Sequence, residues 1–339
     1  MRAWRLTRTG APEVLQLTHV PSPVPAAGEV IVEVDAIGVN YAEVLSRKGL
    51  YGWAPKRPYV PGMEAVGTIV EVGAGISPAR IGEVVLCGMQ FGAYAERIAL
   101  PSRRALRSIQ GFSLDENAAF GVNFMTAWVA LMEMARLRPG DRVGITAAAG
   151  GVGTAAVQIA AAHGCHVVGM AGSDEKLGTV ASLGAASTAS YGSPGFETRL
   201  AEAAPDGRLD VVLEVVGGEV FDVCLSRLDH FGRLVVVGYA GLDYSLWNPL
   251  SWWRAWRGAP RLDIKHAAEA SIGVLATHIG YLLPDEERMM SIWSALTTFT
   301  ARHGLRPVVG RVFAFEELPE AHRFMESRES VGKLVVRVG

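Results

Sequence analysis

The sequence predicts an α/β protein: a doubly wound parallel sheet joined to a β-rich domain. Three observations point there. Apolar residues alternate through the first hundred positions, a strand–helix rhythm begins near Phe112, and the glycine loop AAAGGVG stands where the first strand of that rhythm meets its helix. The chain has 339 residues, and single cores stop growing at roughly 250–300 residues, so two domains are expected.

In the first domain, GEVIVEVDAIGVN sets Val30, Val32 and Val34 against Glu29, Glu33 and Asp35, the period-2 pattern of a half-buried strand. AVGTIVEVGAGI, GEVVLCG and GAYAERIAL repeat the theme between glycines. Ser113, followed three residues later by Glu116, has capping-box spacing and opens an apolar helix. LRPGDRVGITAA supplies a Pro-Gly turn and a strand. Further strands are predicted at about 166–170, 210–214 and 233–238, after the first at about 142–146. Helices fall between them at about 153–163, 174–183 and 218–228, with weaker elements at about 187–203. Strands alternating with helices in this way form parallel sheets covered on both faces. After about residue 265 the texture is mixed, and the strands in RPVVGRVFAF and GKLVVRV return to complete the first domain. The expected division is 1–121 with 273–339 for the β-rich domain, and 122–272 for the parallel sheet.

Composition removes several functions. A net charge of −2 and no basic stripe exclude general attraction to nucleic acid or acidic membranes. MRAWRLTRTG has arginines but no apolar segment after them, so no secretory leader is expected. The apolar run Ala118 to Met132 is broken by Asn123 and too short for a bilayer core of about 30 Å. The expectation is a soluble, cytoplasmic protein. Cys87, Cys165 and Cys224 are far apart, no C-x-x-C occurs, and the eight histidines form no ligand pair. Neither a disulfide framework nor a metal site is expected.

Gly150, Gly151, Val152 and Gly153 lie between a strand and a helix. Glycines there let backbone amides approach a phosphate, and the helix N-terminus adds a partial positive charge. The plainer alternative is a tight strand-to-helix turn, but the strand–helix rhythm favours a nucleotide site. At the next strand tip, Met170-Ala171-Gly172 carries no acid to hold the ribose hydroxyls of NADH. Ser173 and Lys176 follow, a hydroxyl and a point charge suited to a 2′-phosphate, so NADPH is the expected cofactor. Ser173 would also serve as a plain N-cap, with Asp174 and Glu175 in the first turn.

Taken together, AAAGGVG, VDAIGVNYAEVLSRKGLY, PGMEAVGTIVEVGAGI and VGKLVV resemble the zinc-independent quinone oxidoreductases, the zeta-crystallin-like branch of the medium-chain dehydrogenase/reductases. FGVNFMTAW, NPLSWWRAW, HIGYL and SVGKLVV are most similar to the vesicle amine transport protein-like group within it. The resemblance covers essentially the whole chain. It implies a GroES-like catalytic domain, a Rossmann domain, NADPH in the cleft between them, and no zinc. Met63-Glu64 stands where zinc-dependent relatives have a histidine before the glutamate, and no cysteine lies near Asn40. By the same resemblance Ser173, Lys176, Tyr191 and Arg328 match the 2′-phosphate site. Thr126, Gly150, Gly151, Val152 and Gly153 match positions around the pyrophosphate and nicotinamide ribose. Gly238 and Asn40 match positions near the nicotinamide, and Tyr51 lines the substrate cleft. Glu43 stands where relatives often place Asp; Leu45 replaces a second tyrosine found in some.

The implied reaction is NADPH-dependent reduction of a small-molecule electrophile, a quinone or an α,β-unsaturated carbonyl, with Asn40 and Tyr51 hydrogen-bonding the developing oxyanion. The rival reading is a protein that binds NADPH as a structural or regulatory ligand and acts through a partner or membrane. Trp247, Trp252, Trp253 and Trp256, interleaved with Arg254 and Arg257, suit a lipid-facing surface, a lid over an apolar substrate, or a packing or dimer interface, the last favoured. A homodimer is expected, with the strand in GRLVVVGYAG near a sheet edge that a partner covers. His278 could approach the nicotinamide pocket, but an ordinary core or surface histidine is the favoured reading, and Tyr41 and Trp128 are read as packing residues.

Overall fold

The computed structural model describes residues 1–238 and 262–339. They form two compact units, Met1–Val122 with Arg306–Gly339, and Asn123–Leu305. The tryptophan-rich stretch 247–256 lies outside the described residues.

In the first unit, Glu29–Val39 is the longest strand of the larger sheet. It pairs antiparallel with Glu64–Val72, Lys333–Arg337 and Arg97–Pro101, and its even-numbered valines are buried as the alternation requires. Val309–Ala314 lies parallel to Lys333–Arg337, so the C-terminal strands do complete the first unit. Register then sets a chemical neighbourhood. Ile37 faces Ala65 and Val39 faces Leu334, which brings Gly38, Glu64 and Lys333 together at one end of three strands. A Cβ on Gly38 would stand 2.8 Å from Glu64 Oε1 and 2.8 Å from Lys333 Cε, so glycine leaves room for both side chains.

Among the described residues the second unit holds six parallel strands. Across the sheet they run third, second, first, fourth, fifth, sixth in chain order: Ser187–Ser190, His166–Ala171, Arg142–Ile145, Leu209–Glu214, Leu228–Val236 and Gly273–Ala276. The order reverses between the first and fourth strands, and ligands bind beyond the carboxyl ends of strands at such a point. Helices Gly151–Ala162, Asp174–Ser182, Phe196–Ala203 and Gly218–Ser226 occupy the crossovers. At the opposite ends of the strands, Arg142 grips Asp210 and Asp229 while Arg233 pairs with Asp141. The capping box forms as read: Ser113 N–H donates to Glu116 Oε2 at 2.8 Å, and Glu116 N–H to Ser113 Oγ at 3.2 Å.

Two expectations are corrected. Residues 273–305 belong with the second unit, because Gly273–Ala276 extends the parallel sheet as its sixth strand and Glu286–His303 follows it. A four-residue apolar strand announces that it exists, but not which sheet it joins. The strand in GRLVVVGYAG, Leu228–Val236, is no sheet edge, since it is paired on both sides; among the described residues Gly273–Ala276 is the edge. Among the described residues no helix is long and apolar enough to cross a membrane.

Glycines in this sheet divide into those that packing requires and those it does not. A Cβ on Gly153 would lie 2.2 Å from Ala147 O and 2.7 Å from Ala148 Cα, which are backbone atoms that cannot give way. Gly178 is exposed in the Asp174–Ser182 helix with nothing within 4 Å. Gly153→Ala should therefore cost about 1–3 kcal/mol. Gly178→Ala should stabilise by about 0.5–1 kcal/mol, the helix penalty of glycine. Thermal unfolding midpoints falling for the first and rising for the second would bear this out; equal, small shifts would show that the loop is not close-packed.

Candidate functional site

The glycine loop stands at the carboxyl end of the first parallel strand. Ala147 adopts a left-handed φ of 45°, Gly150 takes the N-cap position, and the helix begins at Gly151. Close approach of helix to strand at Gly153 is what a phosphate-binding turn needs, since it aims the first free amides outward. Val152 is half-buried. Asn123 lies on this loop: a Cβ on Gly151 would come within 2.5 Å of its Nδ2. From the sequence, Asn123 only interrupted an apolar run. Thr126, half-buried, is one turn further along the same Leu114–Trp128 helix.

Across the reversal point, Glu214 closes the fourth strand with its carboxylate fully buried. It accepts from Val216 N–H at 2.7 Å, Gly217 N–H at 3.0 Å and Thr146 Oγ at 3.3 Å, and Thr146 Oγ accepts from Val215 N–H at 2.9 Å. Burial raises its pKa while these donors oppose the shift. The ends of the first and fourth strands are thereby tied together beside the glycine loop. A glutamate at the end of an apolar run, VVLE, was the available signal. Gly238 lies just past the fifth strand, where Val237 N–H donates to Glu214 O at 2.9 Å.

At the tip of the second strand, Ser173 caps Asp174–Ser182 by position but makes no side-chain cap hydrogen bond, so the plain N-cap reading does not account for its hydroxyl. Lys176 is in the first turn of that helix. Tyr191 follows the third strand, and a Cβ on Gly172 would meet its ring at 3.4 Å. Gly172, Ser173, Lys176 and Tyr191 thus gather around one strand tip without an acid on the strand itself. Arg328, at a left-handed φ of 62°, belongs to the other unit.

The first unit contains a cluster of buried polar side chains. Lys333 Nζ is buried and donates to Glu64 Oε1 at 2.5 Å and Asn40 Oδ1 at 2.6 Å. Asn40 Nδ2 donates to Gly38 O at 3.2 Å, Glu64 Oε1 at 3.2 Å and Glu43 Oε1 at 3.3 Å. Glu64 Oε2 accepts from Val122 N–H at 2.8 Å. Glu43 receives Asn40 N–H at 2.8 Å, Met63 N–H at 2.7 Å and the Tyr94 hydroxyl. Burial raises the pKa of Glu43, and those donors work against it. His322 Nε2 lies 2.9 Å from Tyr94 Oη; burial pushes the imidazole down to about 3, so it stays neutral. With Tyr94 donating to Glu43, its oxygen accepts from His322 Nε2–H.

The side-chain amide of Asn40 donates to three protein acceptors, an arrangement by which it frames the site. Tyr51 is half-buried, and its Oη accepts from Gln90 Nε2 at 3.3 Å. Burial raises its pKa, which keeps the phenol protonated and able to donate. The sequence reading passed over Lys333, although a lysine opening an apolar strand, KLVV, was a signal of a paired buried charge. Leu45 is half-buried on the Tyr41–Lys48 helix. Trp128 packs edge-on to Phe299 with centroids 5.4 Å apart, and His278 Nδ1 caps a turn by accepting from Gly280 N–H at 3.1 Å.

Comparison with known proteins agrees with this arrangement. Residues 26–110 match the alcohol dehydrogenase GroES-like domain, and residues 151–260 the zinc-binding dehydrogenase family. The chain is 30% identical to the quinone oxidoreductase of Homo sapiens over 341 residues, covering 99% of this chain and 97% of that protein. It is 29% identical to the synaptic vesicle membrane protein VAT-1 homolog of Rattus norvegicus, over 100% of this chain and 84% of that one. The quinone oxidoreductase from Thermus thermophilus, solved alone and with NADPH, superimposes with a TM-score of 0.80 at 36% identity, both chains covered in full. The similarity thus runs along the whole length, and the chain belongs to the quinone oxidoreductase family of the medium-chain dehydrogenase/reductases.

Proposed function

We propose that the protein catalyses NADPH-dependent, zinc-independent reduction of a quinone or an α,β-unsaturated carbonyl. The observation that carries this is the second-strand tip, where Ser173 and Lys176 replace the acid of an NADH site beside a close-packed glycine turn. The relative from Thermus thermophilus solved with NADPH supports the same choice. Gly150 to Gly153 would hold the pyrophosphate, Ser173, Lys176 and Tyr191 the 2′-phosphate, and Thr126 and Gly238 the nicotinamide half. The role of Arg328 at the 2′-phosphate rests on the resemblance. When bound, the nicotinamide supplies a hydride to an electron-poor carbon. Tyr51 then donates a hydrogen bond to the oxygen on which charge develops, and a proton completes the two-electron reduction. Asn40, fixed by Lys333, Glu64 and Glu43, keeps the surrounding backbone in place.

The likeness to the VAT-1 homolog favours a second reading, an NADPH-binding protein with little turnover that acts through a partner or membrane. Incubation with NADPH and, separately, a quinone and a small enone separates the two. Oxidation of NADPH by either acceptor is the expected result; tight binding of NADPH with no turnover of any electrophile would overturn the enzymatic reading.

Lys176→Ala should remove one charge-assisted hydrogen bond, worth about 1.5–3 kcal/mol when well placed and less at a salt-screened site. At about 1.4 kcal/mol the NADPH dissociation constant rises tenfold. NADH binding should barely change, and the NADPH effect should shrink in high salt. Equal weakening of both cofactors in equilibrium titrations would mean that Lys176 supports the fold.

Zinc independence rests on the donor set. Met63 offers a thioether before Glu64, Cys87 and Cys224 are buried with thiols pushed up by burial, and among the described residues no three His, Cys, Asp or Glu side chains converge. Activity should survive exhaustive chelation, with elemental analysis finding far less than one zinc per chain. Near-stoichiometric zinc, or activity restored only by adding it, would refute this.

A further inference from the structure

Tyr94 and His322 are wholly excluded from solvent, although each carries a polar group and they stand 228 positions apart. The backbone fixes Tyr94: its N–H donates to Pro61 O at 2.9 Å, and its carbonyl accepts from Trp4 N–H at 2.9 Å. His322 sits on the buried face of the helix Leu318–Glu326, with Leu318 and Ala321. Glu326 pins that helix to Tyr41–Lys48, pairing with the buried Arg47 and with Lys48 Nζ at 2.9 Å. The rings of Tyr94 and His322 meet edge-on, with centroids 5.8 Å apart.

Hydrogen positions follow by elimination. Among the described residues every hydrogen bond on Glu43 comes from a donor: Asn40 N–H and Nδ2–H, Met63 N–H and the Tyr94 hydroxyl. A proton on this carboxyl would displace one of them. Tyr94 has one hydroxyl hydrogen. With that hydrogen on Glu43, its oxygen accepts from His322, so the imidazole carries its proton on Nε2. Nδ1 is then a bare lone pair, and among the described residues it has no partner. The chain of hydrogen bonds thus has a direction, from His322 through Tyr94 to the carboxylate that grips Met63 N–H. Met63 O in turn accepts from Met89 N–H at 2.9 Å, and Gln90, next in sequence, donates to Tyr51 Oη at 3.3 Å.

We propose that Tyr94 and His322 are positioning residues: they hold Glu43 as a carboxylate, and through it the backbone that presents Gln90 to Tyr51. The part played in turnover rests on the proposed reductase, in which Tyr51 donates to the acceptor. Titratable neighbours of this chain come from several elements. Lys333 and Glu64 stand on two strands, Arg47 on the helix of Glu43 itself, and Tyr51 and Tyr59 on connecting segments. Replacing Tyr94 by phenylalanine removes a donor and changes none of these charges.

Thermal unfolding of the full chain against pH tests the state of Glu43 without reference to activity. Wild type and Tyr94→Phe differ by a hydrogen bond to a carboxylate, which exists only while Glu43 is ionised. Burial raises the pKa of Glu43, and loss of the hydroxyl should raise it by about one further unit. The gap between the two midpoints should be full at mildly alkaline pH and close as pH falls through both values. A gap that does not change with pH would overturn the proposal. In NADPH oxidation by a quinone, the acid limb of kcat/KM should move up by about one pH unit in Tyr94→Phe, and by less in His322→Phe. His322→Gln, whose amide N–H can replace the imidazole donor, should return the limb to its wild-type position. Limbs that stay in place in both phenylalanine variants would sink the positioning role. A wild-type protein that oxidises NADPH with no electrophile would remove the reductase reading alone, and the midpoint gap would still decide whether Tyr94 holds Glu43 ionised.

Discussion

A lysine is tolerated inside a protein only when its nitrogen is paired and hydrogen-bonded. Lys333 meets that requirement through the carboxylate of Glu64 and the amide oxygen of Asn40. Removing one partner from a buried ion pair costs about 3–5 kcal/mol, because the other charge is left unsolvated. The pair therefore constrains everything that holds it: the register of three strands, the absence of a side chain at Gly38, and the start of the Tyr41–Lys48 helix. Glu43 extends the constraint by gathering Asn40 N–H, Met63 N–H and the Tyr94 hydroxyl. From Met63 it passes to the loop of Met89 and Gln90, and so to the hydroxyl of Tyr51. Tyr51 is the half-buried end of a chain of contacts whose origin is fully buried.

The second unit solves a different problem by similar means. A dinucleotide brings phosphates that need amides and no competing carboxylate. The glycine loop provides amides by letting helix and strand touch at Gly153, and Glu214 holds the opposite side of the reversal point with its charge directed into the backbone of Val216 and Gly217. A carboxylate satisfied by amides in this way presents little negative potential outward. Under the proposed function Ser173 and Lys176, on the neighbouring strand tip, would set a local preference for an extra phosphate.

Chemically, little is asked of the side chains. Under the proposed function the acceptor, a quinone or an enone, is already electron-poor, so positioning and one hydrogen-bond donor would suffice. The neutral state of Tyr51, protected by burial, suits that modest task, and the neutral His322 keeps a second positive charge out of the cluster around Glu43.

Period and punctuation in the sequence determined the two architectures, the glycine loop and the strand-tip chemistry, because each depends on residues close together in the chain. AAAGGVG and GSDEK are local statements, and the structure keeps them local. The strands at 142–145, 166–171 and 209–214 likewise follow from runs whose apolar faces are buried on both sides. What only tertiary structure decided are the pairings between distant segments. Lys333 meets Asn40 across 293 positions, and Tyr94 meets His322 across 228. Gly273–Ala276 joins the parallel sheet although its four residues would fit either unit. Asn40 looked available for catalysis until its three acceptors were in view. Side-chain identity is written in the sequence, but the partner that consumes or frees a hydrogen bond is chosen by register and packing, which no local window contains.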